Sequence, residues 1–269
     1  IKLNIQNYSH NNMKALHVVI VVIYCCFIAC LTSCKNKNAS IAKEPTFQSI
    51  FNGKDLEGWF GDPNYWHVEN GILIGEVRPE TILKRNSFII YKNEQPENFE
   101  LKLEYRITNS GNSGVNYRSE IIDGMSYALK GYQCDIDGKN KYTGQNYEEK
   151  KRTTLAYVGE SVTIPQMPDS ISKTNLRKNV KKNCWQTRII TETKSKSQLK
   201  TNIKSNDWTS VHLIIKGNIM AHYVNGQLYS KVTDLDKTNR SRKGYIGVQV
   251  HVGPPMKVEY RTIEIKHLL

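Results

Sequence analysis

The chain has 269 residues, with 38 Lys and Arg against 25 Asp and Glu, a formal charge of +13 and a mean hydropathy of −0.54. Four of its six cysteines lie before residue 35, so only Cys134 and Cys184 remain for the rest. One pair cannot make a disulfide framework, and a domain of this length must be held by its core. No nucleic-acid motif accompanies the excess of base, and that partner is excluded.

The N-terminus reads as an address. Met13 and Lys14 precede an apolar run from Ala15 to Leu31 that ends in Leu31-Thr32-Ser33-Cys34. A positive start, a short apolar stretch and small residues before a cut define a secretory signal. The cysteine at that cut resembles the lipobox of bacterial lipoproteins, which implies lipid attachment at Cys34. Residues 1–12 read as upstream sequence, 1–34 as upstream residues plus signal peptide, and 35–46 as a polar tether. The tether can reach roughly 40 Å at about 3.5 Å per residue. The expected location is exported and membrane-anchored through lipid, on the periplasmic side, with the cell surface as the alternative.

From Phe47 onward short strand-like runs alternate with turns. Tyr65–Val68 and Ile72–Gly75 flank Asn70-Gly71, and Met220–Val224 and Leu228–Ser230 flank Asn225-Gly226. Asn-Gly between apolar runs predicts a type I′ hairpin, because both central residues need positive φ. Further strands are predicted at Ser87–Tyr91, Phe99–Ile107, Gly114–Glu120, Gly131–Asp137, Val211–Lys216, Gly244–His251 and Val258–Ile265. No stretch keeps a helical period over three turns. The pattern predicts an all-β, two-sheet sandwich in one domain over residues 47–269. Between Lys139 and Ser205 the chain is polar and weakly patterned. Long loops are expected there, with strands near Thr153–Val158 and Gln186–Ile190. Gln166–Asn206 holds ten Lys and Arg against Asp169 and Glu192. It reads as a solvated loop or as a surface for an acidic partner.

Strand alternation sorts side chains by face. Val115 and Tyr117 oppose Asn116, Arg118 and Glu120. Tyr132, Cys134 and Ile136 oppose Gln133, Asp135 and Asp137, while Val248 and Val250 oppose Gln249 and His251. The polar sets are rich in titratable and hydrogen-bonding groups suited to a polyol ligand. Cys134 reads as a small buried apolar residue, with a Cys134–Cys184 bridge as the alternative. Asp137, before Gly138, is expected to serve a turn.

The run Gly111-Asn112-Ser113-Gly114-Val115-Asn116-Tyr117-Arg118-Ser119-Glu120 resembles the central motif of the 3-keto-disaccharide hydrolase family, once domain of unknown function 1080. Similar blocks follow in order, among them Phe51-Asn52-Gly53-Lys54-Asp55-Leu56, Trp66-His67-Val68-Glu69-Asn70-Gly71 and Gly131-Tyr132-Gln133-Cys134-Asp135-Ile136. Tyr223-Val224-Asn225-Gly226 and Gly247-Val248-Gln249-Val250-His251-Val252-Gly253-Pro254-Pro255 complete them. The resemblance covers Phe47 to Leu269 and implies a concanavalin A-like jelly-roll sandwich of the lectin and glucanase type.

It also implies a glycoside or oligosaccharide substrate whose ring carries a ketone at C3. That ketone acidifies the C2 hydrogen, and the C1 oxygen then leaves by β-elimination, with or without return of water. Such chemistry needs a base, an acid and an electrophile at the ketone oxygen. The expected acid/base residues are Glu120, Asp135 and His251. Arg118, Tyr117, Gln133, Gln249 and Trp66 are the expected substrate contacts, Trp66 with core packing as its alternative. The resemblance fixes no cofactor, and a divalent cation on Glu120, Asp135 and His251 is an open alternative. The competing readings are a non-catalytic, lectin-like binding module and a surface interaction protein acting through the basic segment.

Overall fold

The computed structural model describes residues 45–170 and 188–269. The export signal, Cys34, the tether through residue 44, Cys184 and the middle of the basic segment lie outside them. Pro45–Leu269 forms one compact unit.

Two sheets face each other. The larger runs, in spatial order, β12 (Ile189–Thr193), β11 (Glu160–Ile164), β15 (Gln227–Asp234), β14 (Ile219–Val224), β13 (Thr209–Lys216), β6 (Phe99–Ile107), β17 (Met256–His267), β4 (Ile72–Val77) and β3 (Trp66–Glu69). The two-residue β1 (Gln48–Ser49) pairs with β17. The second sheet runs β10 (Thr153–Ala156), β9 (Asn146–Glu149), β8 (Leu129–Asp137), β7 (Asn112–Ile121), β16 (Tyr245–Val250), β5 (Ser87–Tyr91) and β2 (Trp59–Phe60). All pairings are antiparallel except β11 with β15. This is the expected jelly-roll sandwich of the lectin and glucanase type.

Period-two patterning explains the layers. On β6, Phe99, Leu101, Leu103, Tyr105 and Ile107 are buried while the residues between them are not. They meet Val115, Tyr117, Tyr132, Cys134, Ile136, Val248 and Val250 of the opposite sheet in one apolar core. Cys134 is a free thiol inside that core. Both Asn-Gly hairpins form as expected, with φ of 51° and 78° at Asn70-Gly71 and 45° and 75° at Asn225-Gly226.

Four strands went unread in the sequence: β1, β2, β9 and β11. For β9 the reason is chemical. Its inward residues, Asn146 and Glu148, are polar. Glu148 is fully buried against the Arg152 guanidinium, which also meets Asp234 at 2.6 Å and Asp236 at 3.4 Å. Tyr132 Oη donates to Asp234 at 2.6 Å within the same cluster. Asn146 Nδ2 donates to Tyr117 Oη at 3.0 Å, and Tyr117 Oη lies 2.8 Å from His222 Nε2. Burial pushes His222 down to about 4, so it is a neutral ring in this cluster. A strand that packs its core face with ions and amides leaves no apolar alternation to read.

Candidate active site

A cavity of about 480 Å3 opens on the face of the second sheet that points away from the core. Gln133 and Asp135 of β8 project into it because Tyr132, Cys134 and Ile136 project the other way. Asp135 pairs across the sheet with Gly114, and a Cβ there would come within 2.5 Å of the Gln133 amide. Glycine at this position is what lets the Gln133 side chain lie flat across the strand.

Asp135 is the chemical centre of the cavity. Gln133 Nε2 donates to Oδ1 at 2.6 Å, and Gln145 Nε2 donates to Oδ2 at 2.5 Å. These bonds favour the carboxylate, but burial outweighs them, and the charges of Glu149 and Asp137 add to burial. The carboxyl is raised to about 7. An acid of this kind keeps its proton in about half of the molecules at neutrality and can release it to a substrate.

The connection between β8 and β9 supplies one wall. Asp137, as expected, serves the turn: its carboxylate accepts from the backbone N–H of Lys141 at 3.0 Å, Tyr142 at 2.7 Å and Thr143 at 3.0 Å. That brackets Tyr142 and Gln145 beside the cavity. From β9, Tyr147 and Glu149 face outward into it. Arg85, just before β5, closes the opposite side.

His251 follows β16 and also lines the cavity. Its Nδ1 lies 2.6 Å from the Val252 carbonyl oxygen. A carbonyl only accepts, so Nδ1 carries the hydrogen and Nε2 keeps the lone pair in the neutral ring. Gln249 is fully buried beneath the floor, where its Nε2 approaches Gln133 Oε1 at 3.4 Å. It braces Gln133 and is not a wall of the cavity.

Besides Gln249, four expected site residues lie elsewhere. Period-two alternation holds along β7 to Tyr117 and then breaks at a bulge, with the register shifting between Tyr117 and Glu120. Arg118 sits in that bulge at φ 45°. Its guanidinium is buried, donating to the Glu97 carbonyl at 2.6 and 2.9 Å and to the Gly217 carbonyl at 2.8 Å. It is a clamp between loops. Glu120 lies beyond the bulge, with its side chain 56% exposed and paired to Lys130 at 3.0 Å. Tyr117 is in the core with His222, and Trp66 is 1% exposed in the core. A cation on Glu120, Asp135 and His251 would need the three together, and Glu120 is not among the cavity residues. Among the described residues, no group of three or more His, Cys, Asp or Glu is arranged to hold a metal ion.

Among the cavity residues missed by sequence reasoning are Arg85, Tyr142, Gln145, Tyr147 and Glu149. All of these but Arg85 come from the polar stretch after Lys139. The i, i+2 spacing of Tyr147 and Glu149 was the available signal, and the polar Asn146 and Glu148 beside them concealed it.

The sequence profile described as the 3-keto-alpha-glucoside-1,2-lyase-like domain matches residues 46–266. No curated protein matches the chain. Among solved structures, two proteins of Parabacteroides distasonis classed as glycosyl hydrolases are similar in fold. One is 17% identical with a TM-score of 0.52, covering 83% of this chain and 100% of its own. The other is 18% identical with a TM-score of 0.50, covering 83% and 94%. A non-specific endo-β-1,3(4)-glucanase aligns at 12% identity and a TM-score of 0.50, over 84% of this chain and 96% of its own. At such identities the likeness is one of fold.

Proposed function

Since the chain belongs to the 3-keto-alpha-glucoside-1,2-lyase-like domain family, we propose that it cleaves glycosides whose ring carries a ketone at C3, by elimination across C1 and C2. The observation that carries this reading is Asp135, a buried carboxyl raised to about 7 in the floor of a polar cavity. Elimination divides the work between a base at C2 and an acid at the departing oxygen, and two cavity groups suit those tasks.

His251 takes the C2 proton. Its Nδ1–H is held by the Val252 carbonyl, which leaves Nε2 as the acceptor. The electrons of the C2–H bond move onto the ketone, giving an enediolate at C2 and C3. Arg85 offers a guanidinium to the developing charge from the cavity wall. The enediolate then reforms the C3 carbonyl, a double bond forms between C1 and C2, and the C1–O bond breaks. Asp135 gives its proton to the departing oxygen. Glu149 and Asp137 help to keep that proton in place beforehand, since their charges raise the Asp135 carboxyl. Addition of water to the unsaturated product completes a net hydrolysis. The route differs from the two-carboxylate glycosidase scheme, in which no C2 proton is removed.

The binding-module alternative calls for a flat aromatic face without titratable groups. A recessed cavity with Asp135, Glu149 and His251 on its walls favours the enzyme. We infer further that the domain acts outside the cytoplasm on a lipid anchor at Cys34, a reading supported by the signal-like sequence of residues 13–34. Labelled palmitate carried by the full chain and lost in Cys34→Ala is the expected outcome.

The test of the activity is direct. Purified protein should release the leaving group from a 3-keto-glucoside and not from the same glucoside unoxidised. In deuterium oxide the released 3-keto sugar should carry deuterium at C2. Turnover of both substrates, or release without exchange at C2, would refute elimination.

A further inference from the structure

We propose that the leaving group lies over β9 and β10, and that Lys150 selects one bearing a carboxylate. The direction of the substrate rests on the elimination reading, while the charge of the leaving group has its own observations.

The direction comes from strand order. Across the second sheet the strands run β10, β9, β8, β7, β16 and β5. Arg85, assigned to the ketone oxygen at C3, precedes β5. His251, assigned to C2, follows β16, and Asp135, assigned to the departing oxygen at C1, is on β8. The three stand in the order of the carbons they serve, so whatever leaves from C1 continues past β8 toward β9 and β10. Tyr147, Glu149, Lys150 and Thr154 line the cavity there. Tyr147 is opposite Gln133 and Glu149 opposite Gly131, so this wall recedes from Asp135 toward Lys150.

The first observation on charge is the way Lys150 is held. It sits at φ 57° in the turn between β9 and β10, a left-handed conformation that glycine takes without strain and lysine does not. The turn is fixed on both sides of it. Lys151 N–H donates to the Glu148 carbonyl at 3.3 Å, and Arg152 N–H to the Glu148 carboxylate at 3.0 Å. The side chain of the residue so held lines the cavity.

The second is that Lys150 is partly buried, yet among the described residues its Nζ has neither a hydrogen bond nor an ion pair. Its neighbours are engaged. Lys151 Nζ donates to the Asn239 carbonyl at 2.6 Å and meets Glu148 at 3.4 Å. Glu149 lies close enough to Asp135 to raise its carboxyl. An ammonium partly withdrawn from water gains most from an anion, because charge-assisted hydrogen bonds are about twice as strong as neutral ones.

The third is the match of donors. The Thr154 hydroxyl is on the same wall, so two donors face the two oxygens of one carboxylate. A doubly charged group would leave its second charge against Glu149. The formal charge of +13 draws anions toward the protein as a whole.

Two substrates that differ only in charge provide the test: the 3-keto-glucosides of 4-hydroxybenzoate and of 4-hydroxybenzamide. The unaltered protein should favour the benzoate in kcat/KM by roughly tenfold, the range of one charged hydrogen bond. In Lys150→Gln the ratio of the two should fall by about that factor, and Lys150→Glu should lower it further. Taking the ratio cancels any general effect of the variant on turnover. Lys54→Gln, at an exposed position outside the cavity, changes the net charge equally and should leave the ratio as it was. A ratio that Lys150→Gln does not change, or that Lys54→Gln lowers as much, overturns the proposal.

If the unaltered protein turns over neither substrate, the elimination reading falls and binding decides. Calorimetric titration with the two unoxidised glucosides should then show tighter binding of the benzoate, and Lys150→Gln should abolish the difference. Absence of binding, or an unchanged difference, overturns the role of Lys150.

Discussion

Asp135→Asn should make the protein more stable and less active, and the stability gain should depend on pH in a defined way. The folded chain holds the Asp135 carboxyl at about 7, against an ordinary value of 3.8. Below pH 3.8 the group is protonated whether the chain is folded or not, and it costs nothing. Between 3.8 and 7 the unfolded chain ionises while the folded chain does not, so stability falls with rising pH. Above 7 the loss is complete. A separation of about three pH units, at about 1.4 kcal/mol each, makes it about 4 kcal/mol.

Asparagine is neutral throughout and escapes that loss. It also keeps its partners: its oxygen accepts from Gln133, and Gln145 can turn its amide to accept from Nδ2. Gln145 Oε1, buried and without a partner in the present arrangement, is available for this. The variant is expected to exceed the unaltered protein by about 2–4 kcal/mol at pH 8 and to match it within about 1 kcal/mol at pH 4. Urea titrations at four pH values between 4 and 8.5 measure the difference. A difference that does not change with pH would refute the reasoning, whatever its sign. Activity gives the complementary reading. Loss of the proton donor should slow alkyl leaving groups by about a hundredfold or more and spare an acidic phenol, which departs unaided.

Three other outcomes follow from the same structure. Glu149→Gln removes a charge that raises Asp135, so the alkaline limb of the kcat/KM profile should move to lower pH, by up to about one unit. Arg152→Met leaves Glu148, Asp234 and Asp236 buried without their cation, and chemical denaturation should show a loss of about 3–5 kcal/mol. Glu120→Gln breaks only a solvent-exposed pair with Lys130; its stability should lie within about 0.5 kcal/mol of the unaltered protein and its turnover should be unchanged.

The sandwich was legible because its central strands alternate. β6 and β13 bury every second residue, and the Asn-Gly turns announce two of the hairpins. Among the residues that line the candidate cavity, Gln133, Asp135 and His251 were legible for the same reason: each stands opposite a residue that belongs to the core. Alternation failed at Arg118 because a bulge is a local backbone event. One extra residue in the strand resets the faces beyond it, and Glu120 was carried out of the site by that reset. Trp66 was ambiguous because large aromatic rings serve cores and sugar faces alike; here the ring packs against Gly75, where a Cβ would meet it at 2.6 Å. Glu149 and Tyr147 were hidden for a different reason. Hydrophobic patterning registers only strands that put apolar groups inside.

The adjacent glutamates of β9 carry a consequence for how the molecule can vary. Glu148 and Glu149 are the same residue type, and the Arg152 cluster, with the Asn146 bond to Tyr117, determines which of them enters the interior. A slip of one position would exchange them and turn Tyr147 inward, leaving the chain's composition and charge unaltered. Arg152 therefore acts as a sorting device, fixing which side of the sheet each carboxylate serves. Two kinds of change then become separable. Outward residues such as Tyr147 can be replaced to suit a new ligand with the strand still in place, whereas loss of Arg152 weakens the hold on that register without touching any residue that lines the cavity.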